Sequence, residues 1–339
     1  MDKAKLKKLY WKILRLFLPG KLALKLNLAL RCIFENWEFA ANIYIFSSNF
    51  ASLEQEGIRR QLCGLDERSI SVAEEYVRRC RNLEHMKGFP FSDGSCVLIL
   101  AAPLKNDIIC VPEQSADLKK YQKKYGFKTG AEILIYQHGL AFWQDEIRPF
   151  LKGKVFVDAG ACIGELVPAL LEYSPSKIYA FEPSSKNVRR FHKEMRKRRI
   201  PLEKVEIISA DLGDRKCSMC LDDQGGCGQT LSENSDDAQC EVTTLDEFAA
   251  DREVSGIGLI KSDVEGMGLL LLHGAIRTIK RDRPVLSLAA YHNQDELLGQ
   301  YAFLKRELND YHFELRDLPP GSCFEVTLLG IPVEILRKE

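Results

Sequence analysis

Residues 155–165 read VFVDAGACIGE, an apolar run that stops at Asp158 and becomes a loop with glycines at 160 and 164. A short, nearly continuous apolar run closed by turn residues fits a strand buried in a parallel sheet. Gly160 and Gly164 allow the backbone to turn sharply and to approach a ligand closely. The loop is not a dinucleotide fingerprint, which would space its glycines GxGxxG, and it lacks the lysine of a phosphate-binding P-loop. Pyrophosphate and triphosphate ligands are therefore disfavoured. An acid at the mouth of the loop would repel a phosphate and suit a cation or an amino group.

Working outward, KIYAFE (177–182) is a second strand that ends in an acid, Glu182, 24 residues after Asp158. An acid at that place can accept hydrogen bonds from both ribose hydroxyls of a nucleoside; alternatively it caps the helix that follows, which starts at Ser184 or Ser185. A nucleoside with a positive charge, an amino-acid tail and no pyrophosphate describes S-adenosylmethionine. Further strands are expected at VEIIS (205–209), GLIKSD (258–263) and PVLSLAAY (284–291), with helices between them. A helix is expected at 163–173, with Pro168 near its first turn. YHFELR (311–316) and FEVTLLG (324–330) follow each other across a loop at 319–321 and read as an antiparallel hairpin. The pattern predicts a doubly wound, mostly parallel α/β sheet that finishes in a hairpin.

Residues 1–125 read as a mainly helical region, with helices near 5–18, 22–48, 52–62 and 68–84. A strand pair at 95–101 and 107–111 and a surface helix from 116 follow. The sheet-bearing domain takes residues 126–339. Within it, the Gly-, Ser- and Asp-rich stretch 214–242 reads as a substrate-side loop.

The 339 residues carry 48 basic and 48 acidic side chains, a balance that gives no global reason to expect a nucleic-acid partner. Residues 1–31 depart from it, with nine basic side chains against Asp2 alone, and the rest of the chain is correspondingly acidic. Apolar residues at helical spacing make this segment amphipathic, so residues 1–20 suit either peripheral contact with a membrane or packing on the body. No apolar run is long enough to span a bilayer, and the charges interrupt any signal-peptide pattern. A cytoplasmic protein, membrane-associated if the first helix lies on a bilayer, is the expectation. The eleven cysteines, an odd number, point to reduced thiols. Cys217 and Cys220 have the gap of a zinc knuckle, but Cys227 and Cys240 do not repeat it, so incidental thiols on a hairpin are expected.

FVDAGACIGE (156–165), IYAFEPS (178–184), VTTLDEF (242–248), LIKSDVEGMGLLLLHGA (259–275) and RPVLSLAAYHN (283–293) together resemble the FkbM-type methyltransferases, over the chain from about residue 130 onward. The resemblance implies a Rossmann-like class I methyltransferase fold. It also implies transfer of a methyl group from S-adenosylmethionine, usually to oxygen, on a sugar or another secondary metabolite. It makes Asp158, Gly160, Gly164 and Glu165 the cofactor loop and Glu182 the ribose ligand, and puts Asp263 and Glu265 beside the methionine end and the methyl group. Where the family pattern has a further glutamate, this chain has Gly268, so a catalytically silent binding or scaffold module is the alternative. A nucleic-acid methyltransferase is disfavoured, since no basic patch with interleaved aromatics follows the first helix. For the acceptor proton, His292 is the expected base and Asp263 its rival, directly or through a divalent cation that nothing in the sequence indicates. His138 and Tyr291 are expected on the substrate side.

Overall fold

The computed structural model describes residues 50, 52–84, 87–90, 96–99, 116–127, 130–221, 231–232, 238–318 and 325–337. The segments expected as helices at 5–18 and 22–48, the strand at 107–111, the loop at 319–321 and Cys227 lie outside them. Two short strands come first, β1 (Lys87–Pro90) and β2 (Cys96–Ile99), paired antiparallel. The strand expected at 95–101 pairs with Lys87–Pro90; its expected partner at 107–111 lies outside the described residues. Glycine and proline within four residues hide β1 from a propensity reading.

The remaining strands are β3 (Val155–Ala159), β4 (Lys177–Phe181), β5 (Val205–Ile208), β6 (Asp211–Leu212), β7 (Cys217–Leu221), β8 (Leu231–Ser232), β9 (Ala238–Thr243), β10 (Ile257–Ser262), β11 (Val285–Ala289), β12 (Tyr311–Asp317) and β13 (Val326–Pro332). Seven of them form one sheet in the order β12-β13-β11-β10-β3-β4-β5. β3, β4, β5, β10 and β11 run parallel, and β13 runs antiparallel to both β11 and β12. This is the expected Rossmann-like class I methyltransferase sheet with its terminal hairpin. Strand order reverses between β3 and β10, which opens a crevice at their carboxyl ends.

Each face of the sheet carries its own apolar core. Val157, Ala159, Ile260, Leu286 and Leu288 belong to one core with Leu62, Tyr76 and Val77, from the helices Gln55–Gln61 and Glu67–Glu84 and the residue that ends the first. Phe156, Ile178, Ala180, Leu259 and Val285 face Leu134, Leu140, Ile147, Phe191 and Met195. The second face also carries one polar row, because the register aligns Asp158 with Lys261 and Lys261 with Ser287. Polar side chains in the middle of an otherwise apolar sheet are the informative ones.

Two local expectations are corrected. The helix expected from 163 begins only at Val167 and ends at Leu171, because Cys162 and Gly164 take left-handed φ angles of 46° and 83° that a helix cannot contain. The stretch 214–242 is not simply a loop: β6, β9, β7 and β8 form a small sheet, with Met219 opposite Cys240. Its turn-forming residues are concentrated at 222–237 and masked the alternating flanks. The helix Ser185–Lys197, capped by Ser184 as expected, exposes Lys186, Arg189, Arg190, Lys193, Arg196 and Lys197, a basic face beyond the first helix. Its aromatic residue, Phe191, is buried, so no stacking surface accompanies that charge. Among the described residues no helix is long and apolar enough to cross a membrane.

Candidate functional site

Backbone hydrogen bonds join the carboxyl ends of the parallel strands. Gly160 N and Ala161 N donate to Phe181 O at 3.1 and 2.9 Å, Glu182 N to Ile208 O at 3.1 Å, and Asp263 N to Ala159 O at 3.0 Å. Gly160 has φ 72°, and a Cβ there would lie 1.8 Å from Asp263 O, so only glycine lets the two strand ends meet. Cys162, at the tip of the loop, is disulfide-bonded, which corrects the expectation of reduced thiols at this position. Spacing along the chain does not reveal a pairing made by the fold. Cys63, Cys217 and Cys240 are thiols as expected. Among the described residues no group of three or more His, Cys, Asp or Glu side chains is arranged to hold a metal ion.

Asp158 does not display its charge at the mouth of the loop. It is 1% exposed and lies beneath the loop, with Lys261 Nζ 3.1 Å from its Oδ1. The same ammonium donates to Ala159 O at 3.1 Å and Gly160 O at 2.9 Å. A lysine near the carboxyl end of β10 therefore balances the acid that the sequence assigns to a cationic ligand. Burial works against the Lys261 charge, but the carboxylates of Asp158 and Asp263 outweigh it and hold the ammonium above its ordinary pKa.

Glu182 is held where the expectation places it. Its Oε2 accepts from Cys162 N at 2.9 Å, and its Oε1 accepts from Ser184 N at 3.0 Å and Asn187 Nδ2 at 3.3 Å. It both organises the helix start and faces the loop. Burial pushes its pKa up to about 7 against these donors. Asp211, at the start of β6, is a second buried acid raised to about 7 by burial, with Leu212 N as a donor at 2.8 Å. The sequence reading missed it, although an acid directly after the third parallel strand was the available signal. Glu165 is also raised by burial, and the amides of Glu165 and Ile163 oppose the shift.

The acids after β10 meet the end of β11. Tyr291 Oη donates to Asp263 Oδ1 at 3.0 Å. His292 is 2% exposed, with Nε2 3.3 Å from Glu265 Oε2 and 3.5 Å from Asp263 Oδ1, and Nδ1 2.6 Å from Glu296 Oε2. Ionised carboxylates only accept, so a ring with both nitrogens facing carboxyl groups is best satisfied as an imidazolium. Burial opposes that charge, and Glu296 and Glu265 override it, raising the pKa well above the ordinary value. Burial likewise opposes the Asp263 charge, while Lys261 and His292 keep that carboxyl below its usual range. Glu296, absent from the sequence reading, comes from the turn beyond β11; no motif marks it.

His138 reaches the same region from the 3₁₀ turn Gln137–Trp143. Ser287 Oγ donates to His138 O and lies 2.6 Å from Nδ1. The serine proton is thus committed, so Nδ1 carries the ring proton and Nε2 presents a lone pair, buried and without a hydrogen-bond partner among the described residues. Burial lowers its pKa to about 3, so the ring is neutral. The structure thus gathers His138, Tyr291, Asp263, Glu265 and His292 at one end of the sheet, and Gly160, Gly164, Glu165 and Glu182 around the neighbouring loop.

Residues 158–315 match the family model of the methyltransferase FkbM domain. That segment includes every residue of the site except His138. Among solved structures, an FkbM methyltransferase from Methylobacillus flagellatus is 21% identical, with a TM-score of 0.44, over 52% of this chain and 43% of that one. The chain thus spans less than half of that protein. A putative rRNA methylase from Clostridium thermocellum is 14% identical (TM-score 0.38) over 57% and 94% of the two chains. A putative methyltransferase from Streptococcus mutans, in complex with SAH, is 12% identical (TM-score 0.35) over 56% and 96%. No curated protein matches the chain.

Proposed function

We propose that the chain is an S-adenosylmethionine-dependent methyltransferase that methylates a hydroxyl of a small acceptor, a sugar or another metabolite. The observation that carries the reading is a pair of buried acids, Glu182 against the glycine loop and Asp211 close enough to Glu182 to feel its charge. Each is raised to about 7 by burial. Buried carboxyls of this kind gain most from hydroxyl and amino donors and would be destabilised by a phosphate. Glu182 has used three acceptor positions on protein donors, and a carboxylate offers about four. A nucleoside without phosphates fits these groups.

When bound, S-adenosylmethionine supplies a methyl group on a sulfonium leaving group. The protein must align the acceptor and take up its proton. We assign proton uptake to Asp263 rather than His292, because the imidazolium has no lone pair to offer while Asp263 is held ionised by Lys261 and His292. A hydroxyl that is forming a bond to carbon becomes far more acidic, so an ionised carboxylate in place suffices. His138 Nε2, a neutral acceptor, would orient a second acceptor hydroxyl.

Gly268, the reason for the silent-module alternative, stands against the carboxylate of Glu296: a Cβ on Gly268 would lie 2.9 Å from Glu296 Oε1. An acid is thus present at that place from another part of the chain, and the enzyme reading is the one adopted. Contact of residues 1–20 with a membrane belongs to the same proposal, as a means of keeping the protein near lipid-linked acceptors. Calorimetric titration with S-adenosylhomocysteine, in parallel with NAD and with Glu182→Ala, tests the reading. Binding of the nucleoside alone, lost in the variant, supports it. A folded protein that binds neither ligand refutes it.

A further inference from the structure

We propose that Glu296 is the positioning residue for His292, and that Gly268 is the residue that makes room for it. The inference rests on the methyl-transfer reading only for the purpose the pair serves.

Glu296 is 1% exposed and lies in a π-helical turn, Asp295–Gly299, ahead of the helix Gln300–Glu307. Such turns often mark functional positions. Its Oε2 takes the His292 ring at Nδ1, at 2.6 Å, and faces His292 N at 3.3 Å. Its Oε1 accepts from Gly266 N at 3.1 Å and Gly268 N at 3.2 Å. One carboxylate therefore ties the loop after β10 to the end of β11. Asn293 ties the same two segments from the other side: its Nδ2 donates to Gly266 O at 3.0 Å and its Oδ1 accepts from Glu296 N at 2.9 Å.

The space for this arrangement is narrow. A Cβ on Gly268 would meet Glu296 Oε1 at 2.9 Å, Gln300 Nε2 at 3.0 Å and Glu296 Cγ at 3.3 Å. Gln300 cannot retreat freely, since its Nε2 donates to Ala289 O at 2.7 Å. Gly268 has no positive φ that would require glycine. Its missing side chain is explained by the carboxylate beside it.

The consequence falls on the imidazole. With Nδ1–H fixed on Glu296, Nε2 is directed at Glu265 and Asp263, the carboxylates the reaction would use. Among the described residues, the charged and titratable groups around the ring are Asp263 and Glu265 from the loop after β10, Tyr291 from its own strand end, and Glu296 from the π turn. Lys261 and His138 lie behind them and act on Asp263. A carboxylate that merely satisfied two amides would leave the ring's protonation untouched; one that positions the ring must change it.

The test uses the full chain without cofactor and reads the His292 ring nitrogens by 15N-edited NMR across a pH titration. Wild type should show both ring nitrogens protonated well above the usual histidine range. Glu296→Gln keeps an acceptor for Nδ1–H and removes the charge, so the His292 midpoint should fall by about one unit or more, with the five other histidines unmoved. Gly268→Ala should produce a fall of the same sign, although residue 268 does not touch the ring. Adding it to Glu296→Gln should change little further. An unchanged His292 titration in folded Glu296→Gln overturns the proposal, as does an unchanged one in Gly268→Ala. If Glu296→Gln does not fold, Gly268→Ala decides on the same readout. Failure of the nucleoside to bind wild type would remove the methyl-transfer reading and leave this titration result standing, so the two failures are distinct.

Discussion

Replacing Lys261 by methionine keeps most of the side-chain volume and removes the ammonium. Three contacts end at once: the ion pair with Asp158 at 3.1 Å and the donations to Ala159 O at 3.1 Å and Gly160 O at 2.9 Å. The two partners are 3% and 1% exposed, so water does not replace what is lost. Breaking one side of a buried pair costs about 3–5 kcal/mol, and about 4 kcal/mol is expected at pH 7.5. The pH dependence has a definite sign. Burial already raises Asp158 against the pull of Lys261; without the ammonium, burial and the Asp263 carboxylate act unopposed and raise its folded pKa further above the unfolded value of about 3.9. A group raised in this way contributes fully below the unfolded pKa and loses that contribution as pH rises toward the folded one, by about 1.4 kcal/mol per unit. The deficit against wild type should therefore shrink steadily as pH falls from 7.5 to 5.5. Asp158→Asn combined with Lys261→Met should recover most of it. Urea denaturation followed by circular dichroism at three pH values measures all three proteins. A deficit below about 1 kcal/mol at pH 7.5, or one that grows on acidification, would refute the reasoning.

Three more outcomes are expected. Gly160→Ala puts a Cβ 1.8 Å from Asp263 O at a φ of 72°, and should lower unfolding stability by about 3 kcal/mol or more, read by the same denaturation assay. Affinity for S-adenosylhomocysteine should fall several-fold, to roughly tenfold, as pH drops from 8 to 6, because Glu182, with a pKa of about 7, loses its acceptor charge in that window; a flat calorimetric profile would count against its ribose role. Tyr291→Phe removes the hydroxyl that helps hold Asp263 ionised, so the acid limb of kcat/KM should move to higher pH, and an unmoved limb would exclude Asp263 as the proton acceptor.

The architecture was legible in the sequence because each parallel strand is a short apolar run that ends in a distinctive residue. Asp158, Glu182 and Asp263 mark three such ends, and the hairpin betrays itself by two strands with no helix between. The balance of charge within the site was not legible. Lys261 stands in a strand as an ordinary-looking lysine, and only the register that aligns it with Asp158 shows that it neutralises that acid. Glu296 follows no motif, since its role depends on a turn that folds back onto a loop 28 positions earlier. β1 and the small sheet were hidden by composition: a proline and a glycine in one, and a turn-rich centre in the other.

The hydrogen bonds that join the strand ends carry a consequence for hydrogen–deuterium exchange. The amides of Gly160, Ala161, Glu182 and Asp263 all donate to carbonyls of neighbouring strand ends. The surface that would meet the nucleoside is thus made of amides that open only with the sheet, and these should exchange among the slowest in the chain. A ligand can add little protection to amides already protected. An exchange footprint of the bound cofactor would be faint on the loop it touches and stronger on side-chain-anchored segments around it, such as Glu265–Gly268. Exchange alone would therefore under-report the loop of Gly160 and Gly164 relative to the segment after β10.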